Sequence, residues 1–395
     1  MNSKLSNRVN NMATSATLAM AAKARELREQ GKDIIGLSLG EPDFTVPDFV
    51  KEAAVQAVKD DYHSYTPVDG YGELKEAIIT KFKRDNNLHY SPSQIVVSTG
   101  AKQSLANLAQ VLLNEGDEVL LPAPYWVSYS DISELSGGVP VPIASSIESD
   151  FKVTPEALEA AITPKTKMMI YSSPCNPSGS VYSKAELRAL ADVLVNYPNI
   201  IVVSDEIYEH INYVGEHVSM ANFDDMYDRT VTVNGVSKAF SMTGWRIGYI
   251  GAPEYIARAC NKMQGQVTSG ANCIAQRATI AALENDPSRI QYMVDAFKER
   301  RSLILNLISE IPGLNANEPD GAFYVFPDVS YYFGKTLRGK TINNAGEFAL
   351  YLLEEANVAT VTGEAFGDAN CIRISYAASE KDIVTALQRI KEALS

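Results

Sequence analysis

The segment GVSKAFSMTGWRIGY (residues 235–249) contains two cations, Lys238 and Arg246, and no carboxylate. The nearest acidic residues along the chain are Asp228 and Glu254. A lysine among small and apolar residues is costly to bury unless an ion partner compensates its charge or a reaction with an electrophile consumes the amine. The segment therefore predicts a reactive lysine whose partner comes from elsewhere in the molecule or from a ligand.

A carboxylate and a phenol follow another apolar run, NIIVVSDEIYEH (residues 199–210). Asp205 comes directly after the buried strand that this run predicts, and Tyr208 lies three positions further on. One interpretation is that Asp205 caps a helix or lies in a loop. The alternative is a carboxylate in a dry site, where it keeps a cationic ligand group protonated while Tyr208 faces the same ligand.

The segment STGAKQSLANL (residues 98–108) follows a predicted strand and opens a predicted helix. Its small residues, 98–101, leave backbone amides free to bind an anion such as phosphate. Lys102 lies in the first turn, where the helix dipole disfavours a cation by a few tenths to ~1 kcal/mol. A bound anion would explain this lysine, and a solvated side chain that tolerates the small penalty is the alternative.

Three further side chains each have an ordinary and a functional interpretation. Trp126, in PAPYWVSY, either packs in the core or covers a flat ring. Asn176, in SSPCNPSG, either stabilises its own turn or contacts a ligand. Arg373, in CIRIS, lies on the strand face opposite two isoleucines, which is either wet or presents a fork to a carboxylate. Together these residues predict a ligand with a phosphate, a flat ring, a protonatable ring nitrogen and an electrophile for Lys238, as in pyridoxal phosphate.

The elements that must position these residues are short apolar strands that alternate with helical patterns. Near-continuous Val/Ile/Leu runs separated by helices predict an α/β fold with a mainly parallel, seven-stranded sheet covered by helices on both faces. Ligands bind beyond the carboxyl ends of the strands in such sheets. The predicted strands lie in residues 33–40, 94–99, 118–123, 167–173, 199–206, 230–235 and 247–253.

The pattern of predicted elements changes after about residue 285, where long helices are joined to a few strands such as GAFYVFP and NCIRISYA. This change predicts a second, smaller α+β domain. We expect an N-terminal segment (1–44) that joins the small domain, a large cofactor-binding domain (45–285) and a small C-terminal domain (286–395).

The net charge, the cysteine and histidine content and the lengths of the apolar runs limit the kinds of binding partner and the cellular location that we expect. The chain of 395 residues has 35 basic and 48 acidic residues, a net charge of −13, which argues against nucleic acid or an anionic membrane as the main partner. Its four cysteines and four histidines are scattered, so no metal site is predicted. No apolar run has the length of a signal peptide or a membrane span, and a cytoplasmic protein is expected.

Beyond these residue-level arguments, the sequence resembles fold-type I, class I aminotransferases, which depend on pyridoxal phosphate, and is close to the bacterial aspartate aminotransferases. The resemblance runs from about Ser15 to the C-terminus. It is carried, in family order, by SATLAM, LGEPDF, YTPVDGYGELKEAI, YWVSY, NPSG, SDEIYEH, SKAFSMTGWRIGY, GAFYVF and RISYA.

The resemblance implies a role for each candidate residue. Lys238 would form the Schiff base with the cofactor and, once released, move the substrate Cα proton, and Asp205 would pair with the pyridine nitrogen. The remaining cofactor contacts would be Tyr208 and Asn176 on the ring oxygen, Trp126 on the ring face, and Ser237, Arg246 and the amides of Ala101 and Lys102 on the phosphate. Tyr65 would reach this phosphate from the second subunit of a homodimer. The substrate α-carboxylate would bind Arg373, helped by Asn176 and the backbone of Gly40, and Lys102, Ser15 and Thr17 would meet a side-chain carboxylate.

Two departures from the family pattern concern specificity. Gly235 stands where some members have a serine on the phosphate, and Ala13 stands where some relatives have a lysine linked to larger dicarboxylates such as prephenate. We therefore expect ping-pong amino transfer from aspartate to 2-oxoglutarate. The alternatives are an aminotransferase for aromatic or prephenate-type substrates, a C–S β-lyase or an enzyme that closes a ring on an S-adenosyl substrate with the same cofactor, and a non-catalytic cofactor sensor. A sensor fused to a DNA-binding module is not expected, because no helix-turn-helix domain precedes residue 15 and the chain is acidic.

Overall fold

A computed structural model describes residues 4–12 and 14–395 of the chain. Its strands are β1 Ile35–Gly36, β2 Ile95–Ser98, β3 Glu118–Pro122, β4 Val139–Ile143, β5 Thr166–Ser172, β6 Ile201–Asp205, β7 Thr230–Gly235, β8 Gly248–Gly251, β9 Tyr324–Val325, β10 Lys335–Leu337, β11 Lys340–Ile342, β12 Val358–Ala359, β13 Val361–Thr362 and β14 Ile372–Ser375.

The α-helices are α1 Asn7–Asn11, α2 Ala16–Glu29, α3 Asp48–Lys59, α4 Gly72–Asn86, α5 Ala101–Leu112, α6 Ser128–Leu135, α7 Pro155–Ala161, α8 Lys184–Leu194, α9 Asp224–Tyr227, α10 Glu254–Val267, α11 Cys273–Glu284, α12 Gln291–Ser309, α13 Ala345–Glu355 and α14 Glu380–Leu394. Short 3₁₀ turns lie at Pro92–Gln94, Ile147–Ser149, Met220–Asn222, Thr243–Trp245, Pro287–Ile290, Ser330–Tyr332 and Gly363–Phe366.

The predicted seven-stranded sheet is confirmed, with the strand order β2-β8-β7-β6-β5-β3-β4. Only β8 runs against its neighbours, β7 and β2. Every residue of β6 and β7 is buried, because helices cover both faces of the sheet. Leu105 of α5 and Ile256 of α10 pack with Val203 on one face, and Leu187 and Leu190 of α8 pack with Val202 on the other.

Two strand assignments differ from the sequence prediction. The run at residues 33–40 is not in the large sheet: only Ile35–Gly36 is a strand, and it pairs in parallel with β12. The seventh strand is instead β4, VPVPI, which lies at the edge next to β3. Prolines are tolerated at a sheet edge, where no second neighbour needs their missing N–H groups. The prolines and partial exposure of β4 conceal it from a search for continuous apolar runs.

A second group of elements follows the large sheet in the chain. Strands β13, β14 and β9 form an antiparallel sheet, β10 and β11 form a hairpin, and α12 packs against α14. The N-terminal α2 lies against β12 and β13, so the first part of the chain packs with the last part. The domain boundaries at residues 44 and 285 stay a prediction. Within residues 4–12 and 14–395, none of the helices combines the length and apolar character that a bilayer crossing demands.

Candidate active site

A cavity of about 250 Å³ lies at the carboxyl ends of β5, β6 and β7. Parallel strands bring their carboxyl ends to one edge of the sheet, so residues far apart in sequence meet there. The second group of elements contributes Tyr324 and Arg373 to the cavity wall. The predicted site residues that line the cavity are Thr17, Gly40, Ala101, Lys102, Trp126, Asn176, Asp205, Tyr208, Ser237, Lys238, Arg246 and Arg373.

Lys238 lies in the turn that follows β7 and points into the cavity. Its Nζ donates a hydrogen bond of 2.6 Å to the carbonyl oxygen of Gly40. Burial, together with the cations of Arg373 and Arg246, lowers the pKa of Lys238 to about 8, although Glu41 and Asp205 oppose this shift. A lysine with this pKa supplies much more neutral amine near neutral pH than a free lysine does, which suits a nucleophile or a proton acceptor.

Asp205 is the last residue of β6, and only 4% of its surface is exposed. Its Oδ2 accepts a hydrogen bond of 2.6 Å from the Tyr129 hydroxyl, and its Oδ1 accepts a longer one from the Ile207 amide. Burial raises the pKa of Asp205 to about 6, with these hydrogen bonds and Lys238 acting in the opposite direction. The carboxylate is therefore fixed in orientation, and a ligand cation at the cavity would stabilise its charged form.

Two pairs of hydrogen-bonded side chains in the cavity wall join the large sheet's end of the cavity to the second group of elements: Tyr208 with Tyr324, and Asn176 with Arg373. The Tyr208 and Tyr324 hydroxyls lie 2.7 Å apart in a hydrogen bond. Arg373, 2% exposed, donates from Nη1 to Asn176 Oδ1 at 2.8 Å and from Nη2 to the carbonyl oxygen of Ser38 at 2.6 Å. Asn176 therefore does more than stabilise its own turn, because its amide oxygen orients the buried guanidinium.

The start of α5 lies beside Arg246 in the cavity lining. The first amides of a helix lack intrahelical acceptors and are free to bind an anion. A Cβ built on Gly100 would lie 2.5 Å from Arg246 Nη2, so the guanidinium lies against the residue that precedes the helix. Arg246 has a left-handed backbone (φ 57°), and its Nη1 donates to the carbonyl oxygen of Thr243 at 2.8 Å.

Lys102 and Trp126 lie next to each other in the lining of the cavity. The Lys102 Nζ lies 4.8 Å from the centroid of the Trp126 ring, within the range of a cation–π interaction. Much of the Lys102 residue is exposed to solvent, but partial burial of its amine and the nearby Arg246 lower its pKa, and Asp131 opposes the shift. Trp126 is half-buried and packs edge-to-face on Tyr129, so part of its ring surface remains available to a ligand.

Two predicted site residues do not line the cavity in this chain. Ser15 lies directly before α2, where its hydroxyl is 3.0 Å from the Thr17 hydroxyl, and only Thr17 reaches the cavity. Tyr65 is 99% exposed, and its predicted contact with the site of a second subunit stays a prediction. Ala13, which bears on the choice of dicarboxylate, lies outside the described residues.

Gly235, which replaces a possible phosphate-binding serine, has a packing reason in the structure. A Cβ at this position would lie 2.8 Å from the carbonyl oxygen of Ile247 and 3.1 Å from the Gly248 Cα. These atoms belong to the backbone of β8 and the residue before it, and they cannot move aside cheaply. The glycine therefore lets β7 and β8 approach closely, and a serine there would require the strands to separate.

Sequence reasoning missed two tyrosines that the structure places in the cavity wall, Tyr129 and Tyr324. Tyr129 donates to Asp205 from 76 residues away, and Tyr324 bonds to Tyr208 across 116 residues. Both occur in the quoted motifs YWVSY and GAFYVF, and a systematic test of every polar residue in those motifs would have included them. Nothing in their local sequence separates them from ordinary core tyrosines.

The charges that line the cavity are unbalanced. Its wall contains the cations Lys102, Lys238, Arg246 and Arg373 and a single carboxylate, Asp205, in a chain whose net charge is −13. Within the described ranges, none of these four cations has a carboxylate oxygen within 4.0 Å. A cavity with an excess of cations near a helix start fits a ligand that carries several negative charges.

Comparisons with known proteins agree with this geometry. Residues 32–390 match the family model "Aminotransferase class I and II". An aspartate/prephenate aminotransferase of Nitrosomonas europaea is 47% identical over 99% of this chain and 100% of its own length. The aspartate aminotransferase structure from Rhizobium meliloti has a TM-score of 0.96 at 44% identity, covering 99% of this chain and 98% of that one. The Thermus thermophilus aspartate aminotransferase with maleate has a TM-score of 0.93 at 42% identity and covers 100% of both chains. The chain therefore belongs to the class I and II aminotransferases.

Proposed function

We propose that this transaminase transfers the amino group of aspartate to 2-oxoglutarate in two half-reactions, with pyridoxal phosphate bound in the cavity. The observation that carries the proposal is a set of four cations, Lys102, Lys238, Arg246 and Arg373, that lie in one cavity with the buried Asp205 and have no carboxylate partner among residues 4–12 and 14–395. A phosphate, an α-carboxylate and a side-chain carboxylate would account for the unpaired cations, and Lys238 would supply the reacting amine.

The residues of the cavity fit this cofactor. The amides of Ala101 and Lys102 at the start of α5, with Arg246 and Ser237, form a phosphate-binding end. Asp205, fixed by Tyr129, is a suitable partner for a protonated ring nitrogen. Trp126 offers a ring face, and Tyr208 and Asn176 offer hydrogen-bonding groups for a ring oxygen, as the family resemblance implies. When bound, pyridoxal phosphate supplies an aldehyde for covalent bonding to an amine and a conjugated ring that spreads negative charge from the substrate Cα.

The chain's own contribution to the chemistry is proton transfer and orientation. Lys238, with its pKa lowered to about 8, takes the proton from the substrate Cα and later returns one, and its neutral amine is accessible near neutral pH. Asp205 keeps a ring nitrogen protonated because an ion pair in a dry site favours both charges. Arg373, already oriented by Asn176 and Ser38, presents its fork to the α-carboxylate, with the backbone of Gly40 close by.

Aspartate is the proposed donor because a further cation remains after the phosphate and the α-carboxylate are satisfied. Lys102 lies at the cavity wall beside Trp126, with Thr17 in the same lining, and Ser15 is hydrogen-bonded to Thr17. These groups would hold a side-chain carboxylate. The related Thermus thermophilus structure is a complex with maleate, a dicarboxylate, and a ligand of that kind is consistent with such a site.

Prephenate is a second candidate substrate, and a specific observation favours it. The Nitrosomonas relative, 47% identical, is named for both aspartate and prephenate. Prephenate also carries two carboxylates, so Arg373 and Lys102 could serve it in the same way. Parallel assays of the purified enzyme with oxaloacetate and with prephenate as amino acceptors measure the ratio of the two activities.

The function is tested with Lys238→Ala. We expect turnover of aspartate to fall at least roughly 10²- to 10⁴-fold, because the variant loses both the amine and the general base. The visible absorbance of the bound cofactor and its borohydride-fixed adduct should disappear together with activity. The exposed Lys298→Ala is the matched control and should behave as the wild type does. A Lys238→Ala protein with normal turnover would falsify the proposed function.

We also propose that the active unit is a homodimer in the cytoplasm. A second subunit would explain the full exposure of Tyr65 and the exposed apolar side chains Val55 and Val58 of α3. The four cysteines are free thiols, which fits a reducing compartment. Sedimentation of the purified holoenzyme at several concentrations tests the dimer, and a monomeric holoenzyme with full activity would contradict it.

A further inference from the structure

Tyr324 connects the two halves of the cavity, although the sequence motifs gave it no role. It is the first residue of β9, 1% exposed, and its side chain lines the cavity. Its hydroxyl lies 2.7 Å from the Tyr208 hydroxyl, on the side of the cavity where Asp205 ends β6. Burial, and next the neighbouring Tyr324, raise the pKa of Tyr208 well above its ordinary value. Tyr208 therefore stays protonated and can donate a hydrogen bond.

The ring of Tyr324 serves the other half of the cavity. The Arg373 Cζ lies 4.6 Å from the ring centroid, within cation–π range. Strand pairing fixes this contact, because Tyr324 of β9 stands opposite Ser375 of β14, two residues after Arg373 and on the same face. The guanidinium is thus held from one side by the ring and at its nitrogens by Asn176 and Ser38.

Gly40 lies directly against the same hydroxyl. A Cβ built on Gly40 would lie 1.7 Å from the Tyr324 Oη, so no other residue fits there while the tyrosine keeps its position. The carbonyl oxygen of Gly40 accepts the hydrogen bond from Lys238 Nζ. Tyr324 is therefore in contact with Tyr208, Arg373 and the backbone that orients the reactive lysine.

We infer that Tyr324 is a positioning residue with two separable actions: its hydroxyl orients Tyr208 toward the cofactor, and its ring orients Arg373 toward the substrate carboxylate. This inference rests on the proposed function, which assigns the cofactor to the Tyr208 side and the carboxylate to the Arg373 side. The two actions use different atoms of one side chain, so two substitutions can separate them.

Tyr324→Phe removes only the hydroxyl. We expect the Kd of pyridoxal phosphate for the apoenzyme, followed by quenching of tryptophan fluorescence, to rise roughly three- to tenfold, the effect of one buried hydrogen bond. The Kd of maleate for the holoenzyme, measured by calorimetry, should stay within about twofold, because the ring over Arg373 remains.

Tyr324→Leu removes the ring as well. Here the Kd of maleate should also rise, by roughly three- to thirtyfold, since the guanidinium loses its aromatic support. Tyr376→Phe is the matched control, because Tyr376 is an equally buried tyrosine whose hydroxyl bonds to Tyr213 and Ala322 outside the cavity lining. Thermal melting of each protein is recorded first, and Tyr324→Met takes the place of the Leu variant if that protein does not fold.

The outcomes separate this inference from the proposed function. An unchanged cofactor Kd in Tyr324→Phe overturns the action of the hydroxyl, and equal losses for cofactor and maleate overturn the separation of the two actions. An unchanged maleate Kd in the Leu or Met variant overturns the action of the ring. In each of these cases the wild type still binds both probes, whereas a wild type that binds neither contradicts the proposed function itself.

Discussion

Residues 205–210, at the end of β6 and directly after it, contribute side chains to two different groups of polar and charged residues. Asp205 and Tyr208 face the cavity, whose cations have no carboxylate partner in the part of the chain that the structure describes. Glu206 and Glu209 belong instead to a buried charge cluster composed of Lys81, Asn86, Glu206, Glu209, His210 and His217. Neighbouring residues along the chain thus belong to two different groups. Asp205 and Tyr208 line a cavity that a ligand can enter, whereas Glu206 and Glu209 pair with charged groups of the protein itself.

The charges in the cluster compensate each other. Lys81, which is fully buried, forms an ion pair with Glu209 and donates to Asn86 Oδ1 at 2.7 Å. Burial alone would raise the pKa of Glu209, but Lys81 and the histidines outweigh burial and lower it. Burial lowers the pKa of His217, but the charge and the hydrogen bond of Glu206, 2.9 Å away, together with the charge of Glu209, outweigh burial and raise this pKa above its ordinary value.

The comparison teaches how to separate structural from functional charges. Both groups contain buried cations, so burial alone does not identify the site. The difference is whether the protein itself supplies the counter-charge, as it does for Lys81, or not, as for Arg373, for which we propose a ligand carboxylate. The cluster also brings acidic oxygens and histidine nitrogens within 4.8 Å of one another, but the Lys81 ammonium already takes the cation's place beside Glu209. The absence of a metal site stays a prediction.

The strongest test of this comparison removes one cation from each group. Lys81→Met should lower the free energy of unfolding of the apoenzyme by about 3–5 kcal/mol, because it leaves the carboxylate of Glu209 buried without its main partner. Arg373→Met is the matched change in the cavity and should lower this free energy less, by about 1–2 kcal/mol, because Asn176 Oδ1 and the Ser38 carbonyl oxygen lose a donor but no buried carboxylate loses its partner.

Urea unfolding of both variants measures the difference. The double variant Lys81→Met/Glu209→Leu should recover most of the lost stability, because the unpaired charge is gone. Equal losses for Lys81→Met and Arg373→Met would show that the protein depends on the two cations in the same way. The distinction between the cluster and the cavity would then have no energetic basis.

A second test addresses the single carboxylate of the cavity. The pKa of Asp205 is raised from 3.8 to about 6, so the folded apoenzyme disfavours its charged form. Asp205→Asn should therefore raise the free energy of unfolding by ~2–3 kcal/mol above about pH 7, and the gain should shrink as the pH falls towards about 4, where the unfolded carboxyl also takes up a proton.

Urea unfolding of the apoenzyme across this pH range measures the gain. The exposed Glu52→Gln removes a carboxylate from α3 and should show no such pH dependence. A loss of stability in Asp205→Asn at neutral pH would mean that the protein compensates this charge internally, as it does for Glu209. The same variant should bind the cofactor more weakly. The buried carboxylate of Asp205 would then lower the stability of the apoenzyme in exchange for cofactor binding.

The sequence predicted much of the cavity lining because several candidate residues end an apolar strand or lie soon after one. Asp205 ends β6 and Lys238 follows β7, so the rule about carboxyl ends of strands places both at one edge of the sheet. Tyr129, Tyr324 and the cluster around Lys81 were not predictable in this way. Their partners are distant in sequence, and a buried lysine in the amphipathic α4 has the same local pattern as a solvated one.

The large sheet was predictable for the same reason, and its edge was not. Central strands such as β6 and β7 are buried on both faces, so their side chains form continuous apolar runs. β4 has only one neighbour and partly exposed residues, and its prolines obscure the pattern. The run at residues 33–40 is apolar because Ile34 and Leu37 are buried among other elements, which shows that burial does not specify which sheet a segment joins.

The smallest expected effect concerns Lys102, the cation at the cavity wall that shares its surroundings with Trp126 and Arg246. If Lys102 awaits a ligand carboxylate, Lys102→Met should raise the KM for aspartate about tenfold, the value of one charge-assisted hydrogen bond, and leave the KM for a neutral amino acid within about twofold. Methionine keeps an unbranched apolar side chain at this position, so the substitution mainly removes the charge. Initial rates with both donors at saturating 2-oxoglutarate measure the two constants. Equal increases for aspartate and the neutral donor would place Lys102 with the cofactor phosphate alone, and the preference for an acidic substrate would then need another source in the cavity.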